Sequence, residues 1–171
     1  MSVALIGYRG SGKSSVGKRL ADRLWQPFVD TDELVIKRAG KSIRDIFTES
    51  GEAGFRDLES DVVAEVCETP EQVIALGGGA VLREENRAAI KAAGLKVIYL
   101  RCEPEELARR IAADPTTDAT RPALTDLGGG IEEIRKVLAE REPIYRSVMT
   151  GELDVTHLTP QDAVVYITRL L

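Results

Sequence analysis

Two hydrophobic periods alternate along the chain. Short apolar runs at 2–6, 27–30, 72–76 and 97–100 predict buried strands. Between them apolar residues recur at helical spacing, as with Val16, Leu20 and Leu24 in a predicted helix over 13–24. Thr31 predicts the cap of a helix reaching Arg38, with Gly40 as its stop. Ser42-Ile43-Arg44-Asp45 has the form of a capping box with Asp for the usual Glu, and Gly51 ends that turn before a longer helix over 53–68. Further helices are predicted at 84–93, stopped by Gly94; at 104–113, opened by Pro104; and at 131–148, kinked at Pro143. A last strand is expected at 153–156, and Thr159-Pro160-Gln161-Asp162 caps a final helix. Strand–helix alternation of this kind predicts an α/β fold around a parallel sheet. Only 114–130 lacks periodicity, and a loop that long is either a functional lid or a disordered segment.

Composition narrows the choices. The 171 residues suit one domain spanning 1–171, without repeats or linkers, and 43% hydrophobic with 30% charged residues excludes a disordered chain. A net charge of -5 argues against a broad grip on nucleic acid or anionic lipid, so an anionic ligand must be met by a local cluster of cations and backbone N–H groups. Cys67 and Cys102 lie far apart and there is one histidine, His157, which argues against a disulfide scaffold, a zinc site or His-based catalysis. No apolar run approaches a membrane span and no leader is read at the N-terminus, so the expectation is a cytoplasmic protein; no heptad pattern is seen, so the expectation is a monomer.

Chemistry enters at Gly7-Tyr8-Arg9-Gly10-Ser11-Gly12-Lys13-Ser14, a full G-x-x-x-x-G-K-[ST] between a predicted strand and helix. Gly10, Ser11, Gly12 and Ser15 would place backbone N–H groups around phosphate oxygens at a helix N-terminus. Lys13 would add a point charge on the β/γ-phosphates, and the Ser14 hydroxyl could ligate Mg²⁺. A guanine-reading Asn-Lys-x-Asp is absent, since the one asparagine is Asn86, and the chain has no room for a second functional domain. A small P-loop kinase is the class that remains.

Other candidates are weaker in isolation. Asp30-Thr31-Asp32 closes a strand where α/β ligands bind, and its carboxylates could divide between Mg²⁺ and an acceptor hydroxyl, or simply cap a helix. Arg56 and Glu59 are three apart, which taken alone predicts a surface ion pair; the alternative is a carboxylate clamp held by Glu59. Gly77-Gly78-Gly79 would let a backbone approach a ligand. Arg121 sits in the long loop, where it could act as an arginine finger or remain solvated, and Arg110 and Arg141 lie on helices with solvated faces as the default.

Together these segments resemble the shikimate kinases over essentially the whole chain. The resemblance rests on Gly7–Ser14, Asp30-Thr31-Asp32, Ser42–Phe47, Gly51–Glu59, Leu76–Val81, Arg121-Pro122 and Arg141–Tyr145, in that order. It implies a five-stranded parallel sheet of order 2-3-1-4-5 with flanking helices, a mobile lid at about 114–130 and a shikimate-binding segment at about 31–60. The implied reaction is phosphoryl transfer from MgATP to the 3-hydroxyl of shikimate, in aromatic amino-acid biosynthesis. By position it implies Asp32 at the shikimate hydroxyls, as candidate base, and Asp30 beside Mg²⁺. Arg56, Arg141 and the Gly78-Gly79 backbone would take the carboxylate, and Phe47 and Phe55 would wall the ring. Lys13 and Arg121 would act on the transferred phosphate, with Arg110 flanking the nucleotide and Leu158 near adenine, where a polar residue is more usual. Two other readings compete: a kinase for another small hydroxylated metabolite, and a non-catalytic relative. The second would be expected to have lost Lys13, Asp32 or Arg121, and all three are present.

Overall fold

The computed structural model describes residues 1–116 and 121–171. Its elements run β1 (Val3–Ile6), α1 (Lys13–Leu24), β2 (Phe28–Asp30), α2 (Thr31–Ala39), α3 (Ile43–Glu68), β3 (Val73–Ala75), α4 (Glu84–Ala92), β4 (Lys96–Arg101), α5 (Pro104–Ala113), α6 (Ile131–Val148), β5 (Gly151–Asp154) and α7 (Pro160–Leu170). The strands form one parallel sheet in the order β2-β3-β1-β4-β5. β1 lies at its centre, and all four of its side chains are buried, as an uncharged Val-Ala-Leu-Ile run between two neighbours demands. The carboxyl ends of β1, β2 and β3 therefore sit side by side, and the phosphate loop, the Asp30-Asp32 pair and the three glycines leave the sheet at one edge.

Three details depart from the sequence reading. The two helices predicted on either side of Gly51 run on as one element, α3, broken at Gly51 itself, where φ is 69° and ψ is -178°. β5 begins two residues early, pairing Gly151 with Ile98 and Asp154 with Arg101. It is an edge strand of alternating exposure with no apolar run to mark it, and the Thr156 hydroxyl instead accepts from the Glu103 N–H at 3.1 Å. α6 spans the residues expected of it, with Pro143 inside the helix. Asp30, not Thr31, caps α2. Of the expected lid, 117–120 lie outside the described residues.

Tyr99 of β4 and Tyr145 of α6 are buried against each other, with ring centroids 5.1 Å apart and planes tilted by 35°. The Tyr145 hydroxyl donates to the Gly78 carbonyl at 2.6 Å, so α6 is pinned to the loop after β3. Among the described residues no helix is long and apolar enough to cross a membrane.

Candidate active site

The phosphate loop is built by its glycines. Gly7, Gly10 and Gly12 all have φ between 83° and 148°, and a Cβ on Gly7 would lie 2.7 Å from the Leu100 carbonyl oxygen. No side chain caps α1, so its first N–H groups are open toward the loop. Lys13 bends back over the loop and donates to the carbonyls of Gly7 at 2.8 Å and Tyr8 at 2.9 Å. Burial lowers its ammonium to about 8, the Arg121 charge adds to the drop, and Asp32 and Asp30 oppose it. Ser14 Oγ donates to Asp30 Oδ2 at 2.5 Å.

Asp30 does two jobs at once. Its Oδ1 accepts from the N–H groups of Asp32 at 3.0 Å and Glu33 at 3.4 Å, capping α2, while its Oδ2 faces Ser14. Thr31 cannot cap because its side chain points into the sheet, donating to the Ala75 carbonyl and accepting from the Gly77 N–H at 2.9 Å. The turn that α2 begins directs Asp32 back toward the loops, where its Oδ2 meets Arg121 Nη2 at 2.9 Å.

Arg56 and Glu59 do not form the surface pair that their spacing alone predicts. Arg56 is 7% exposed and Glu59 1%, and Arg56 Nη1 donates to Glu59 Oε2 at 2.5 Å. The face of α3 that carries them packs against the glycines after β3. A Cβ on Gly79 would collide with the Arg56 guanidinium; one on Gly77 would lie 2.6 Å from Asp32 Oδ1 and 2.8 Å from Glu59 Oε1. The glycines thus admit the protein's own charged groups before any ligand arrives. Burial raises the Glu59 carboxyl, the Arg56 charge and hydrogen bond oppose the rise, and its Oε1 has no partner among the described residues. Arg141 is 8% exposed. Phe47 and Phe55 pack 5.0 Å apart.

These groups border two adjoining cavities. The larger, about 780 Å³, is lined by all nine residues proposed for ATP, from Gly10 to Ser15 with Arg110, Arg121 and Leu158, and also by Asp30, Asp32 and His157. Arg110 is held there by Glu106 at 2.7 Å and by the Val155 carbonyl at 2.8 Å. His157, the one histidine, also borders the nucleotide cleft. The smaller cavity, about 40 Å³, gathers all six residues proposed for the acceptor, Asp32, Phe55, Arg56, Gly78, Gly79 and Arg141, together with Phe47. Sequence reasoning missed Arg9, Ile43, Pro122 and Leu124 on its wall. Arg9 holds a free position of the phosphate-loop pattern, Ile43 and Pro122 lie in segments that carry the resemblance but offer no chemistry of their own, and Leu124 is an ordinary apolar residue. Ser14 and Asp30 present the hard oxygen donors that Mg²⁺ takes when phosphate and water complete its shell.

Comparison with known proteins decides among the kinase readings. A family model described as shikimate kinase matches residues 9–171. The chain belongs to the shikimate kinase family. It is 45% identical to the shikimate kinase of Rhodopirellula baltica over 90% of this chain and 81% of that one, and 42% identical to that of Thermobifida fusca over 98% and 92%. Among solved structures, shikimate kinase from Acinetobacter baumannii in complex with shikimate superposes with a TM-score of 0.91 at 31% identity, covering 99% of this chain and 91% of that one. A gluconokinase from Sinorhizobium meliloti, at 20% identity and a TM-score of 0.65, shares the fold alone. The P-loop kinase architecture with sheet order 2-3-1-4-5 and the assignment as an ATP-dependent kinase thus stand on sequence and structure together.

Proposed function

We infer that this protein transfers the γ-phosphoryl group of ATP to the 3-hydroxyl of shikimate, releasing ADP and shikimate 3-phosphate, and that it does so through Lys13, Asp32 and Arg121. One observation carries the reading: Asp32 and Arg121 meet at 2.9 Å and both line the nucleotide cleft and the acceptor pocket. A group transferred between the cavities has to pass them.

The remaining roles follow from charge. In an acidic protein, Arg9, Lys13, Arg121 and Arg141 converge at the meeting of two cavities, and burial first, with their mutual repulsion adding to it, depresses Lys13 and Arg9. Triphosphate and carboxylate relieve that repulsion. The backbone of Gly10 to Ser15 and Lys13 take the phosphates, and Arg110 and Leu158 border the base. Ser14 and Asp30 would hold Mg²⁺, which when bound neutralises charge on the β- and γ-phosphates. Buried Arg56, braced by Glu59, and Arg141 clamp the shikimate carboxylate beside the Gly78-Gly79 backbone, and Phe47 and Phe55 wall the ring. Asp32 accepts the 3-hydroxyl, orienting it and receiving its proton. At about 40 Å³ the acceptor pocket is far below the ~300 Å³ and more that ligand sites usually offer, so shikimate has to draw Arg121 away from Asp32. That exchange frees Arg121 for charge on the transferred phosphate. We take the chain to work as a one-domain cytoplasmic monomer.

The test is Mg²⁺- and ATP-dependent ADP release with shikimate, gluconate, AMP and no acceptor side by side, on the wild type and Asp32→Asn. ADP formed only with shikimate, and lost in Asp32→Asn while ATP still binds, is expected. Preference for another acceptor would overturn the carboxylate clamp, and near-normal turnover in Asp32→Asn would overturn the role of Asp32.

A further inference from the structure

The phosphate-loop pattern leaves residue 9 free, and nothing in the loop's grip on phosphate calls for an arginine there. Arg9 nonetheless lines both cavities of the site, and a third of about 260 Å³ bordered by Arg44, Ala123, Gly128 and Glu133. Both Nη atoms donate to one acceptor, the Pro122 carbonyl, at 3.2 and 3.3 Å. Across the segment, Arg44 in the first turn of α3 donates to the Arg121 carbonyl at 3.3 Å. Downstream, buried Glu133 of α6 accepts from the Thr125 N–H at 2.5 Å and its hydroxyl at 2.8 Å. Three elements that do not move together by necessity, the phosphate loop, α3 and α6, therefore converge on the backbone around Arg121.

The Arg9 contact has the greatest leverage of the three. Proline fixes its own φ and restricts the residue before it to extended conformations, so holding the Pro122 carbonyl constrains the direction in which the Arg121 side chain leaves. The contact is made at a cost: no carboxylate among the described residues lies within ion-pair distance of Arg9, and burial together with the Arg121 charge lowers its pKa. A half-buried cation placed against like charge, with no such carboxylate partner, needs a reason beyond filling space.

We infer that Arg9 is a positioning residue for Arg121, tying the segment that carries Arg121 to the phosphate loop so that this guanidinium is presented over the acceptor and the transferred phosphate together. The inference rests on the role given to Arg121 above. It makes residue 9 a coupling point between nucleotide and acceptor sides, since a phosphate loop that closes on ATP would carry the Pro122 carbonyl with it.

A double-mutant cycle tests it, using the full chain in steady-state and single-turnover assays. Arg121→Ala should lower kcat by about 10³-fold. Arg9→Met should lower kcat about tenfold with both KM values held within about twofold, and should speed amide exchange at 123–127 in the ligand-free protein. Arg9→Lys, which keeps reach and one donor, should restore most of kcat. In the Arg121→Ala background, Arg9→Met should cost less than about twofold more, because its effect passes through the missing side chain. A raised KM with unchanged amide exchange would make Arg9 a direct substrate contact and overturn the inference. A full tenfold loss in the Arg121→Ala background would do the same. Near-normal kcat in Arg121→Ala alone would sink the role of Arg121 and the tie with it, so the two failures are told apart. Should Arg9→Met not fold, Arg9→Gln and Arg9→Lys carry the same cycle.

Discussion

Lys13 offers a prediction whose size follows from its surroundings. In the ligand-free protein its ammonium is held down to about 8 by burial and by Arg121, yet it must carry a proton to face triphosphate. Bound phosphates add negative charge beside it and return its pKa toward the ordinary lysine range. Binding of MgATP above pH 8 must therefore take up a proton. At pH 7 about a tenth of the free protein lacks that proton, and at pH 9 about nine-tenths does, so uptake should rise from about 0.1 to about 0.9 proton per nucleotide. The apparent Kd should weaken about tenfold between pH 8 and pH 9.3, where the phosphates themselves no longer titrate. Calorimetry with a non-hydrolysable ATP analogue and Mg²⁺, in pairs of buffers with different ionisation heats, reads the uptake directly. Lys13→Arg keeps its charge throughout this range, so uptake should vanish in that variant while residual binding persists. Uptake that stays near zero at pH 9, or that appears only near pH 10.5, would refute the argument and place Lys13 in a wetter setting than its contacts with the Gly7 and Tyr8 carbonyls describe.

Two further predictions concern groups away from the phosphates. Glu59→Ala strips Arg56 of its buried partner and leaves it Glu52, 3.6 Å from Nε and mostly exposed; the shikimate KM should rise about tenfold or more with kcat within about twofold, the Tm should fall, and Glu59→Gln should recover part of both. A fall in kcat with an unchanged KM would instead move Glu59 into the reaction itself, through nearby Asp32. Trp25→Gly addresses strain: Trp25 ends α1 at φ 55° while 95% exposed, so glycine removes a left-handed side-chain penalty and gives up almost no burial. Circular-dichroism melting should show a gain of about 0.5–1 kcal/mol, or about 1–4 °C, after the entropy glycine adds to the unfolded chain; a lower Tm would show that Trp25 packs against something in solution.

How much of the site could be read in advance depends on the range of the interaction that makes it. The phosphate loop is local: its glycines, Lys13 and the flanking strand and helix are consecutive, so the helix matches its predicted range and the strand differs by one residue. Asp30 and Thr31 are adjacent, and choosing which of them caps α2 requires knowing that Thr31 faces the Gly77 N–H, 46 residues away. Arg56 and Glu59 show the same limit more sharply. Their spacing states that they share a helix face and is silent on whether that face meets water. The answer lies in Gly77 and Gly79, which have no side chain with which to announce it. Read together, those two segments would have been informative: glycines needed for space, opposite a helix bearing an arginine and a glutamate, imply buried charge. Arg9 lies beyond even that reasoning, because its partner is a main-chain carbonyl and any residue at 122 would supply one. Side chains that act by gripping backbone leave no complementary residue elsewhere in the chain. They are where a sequence reading of an active site most needs coordinates, and where substitution at an unremarked position should most often change kcat.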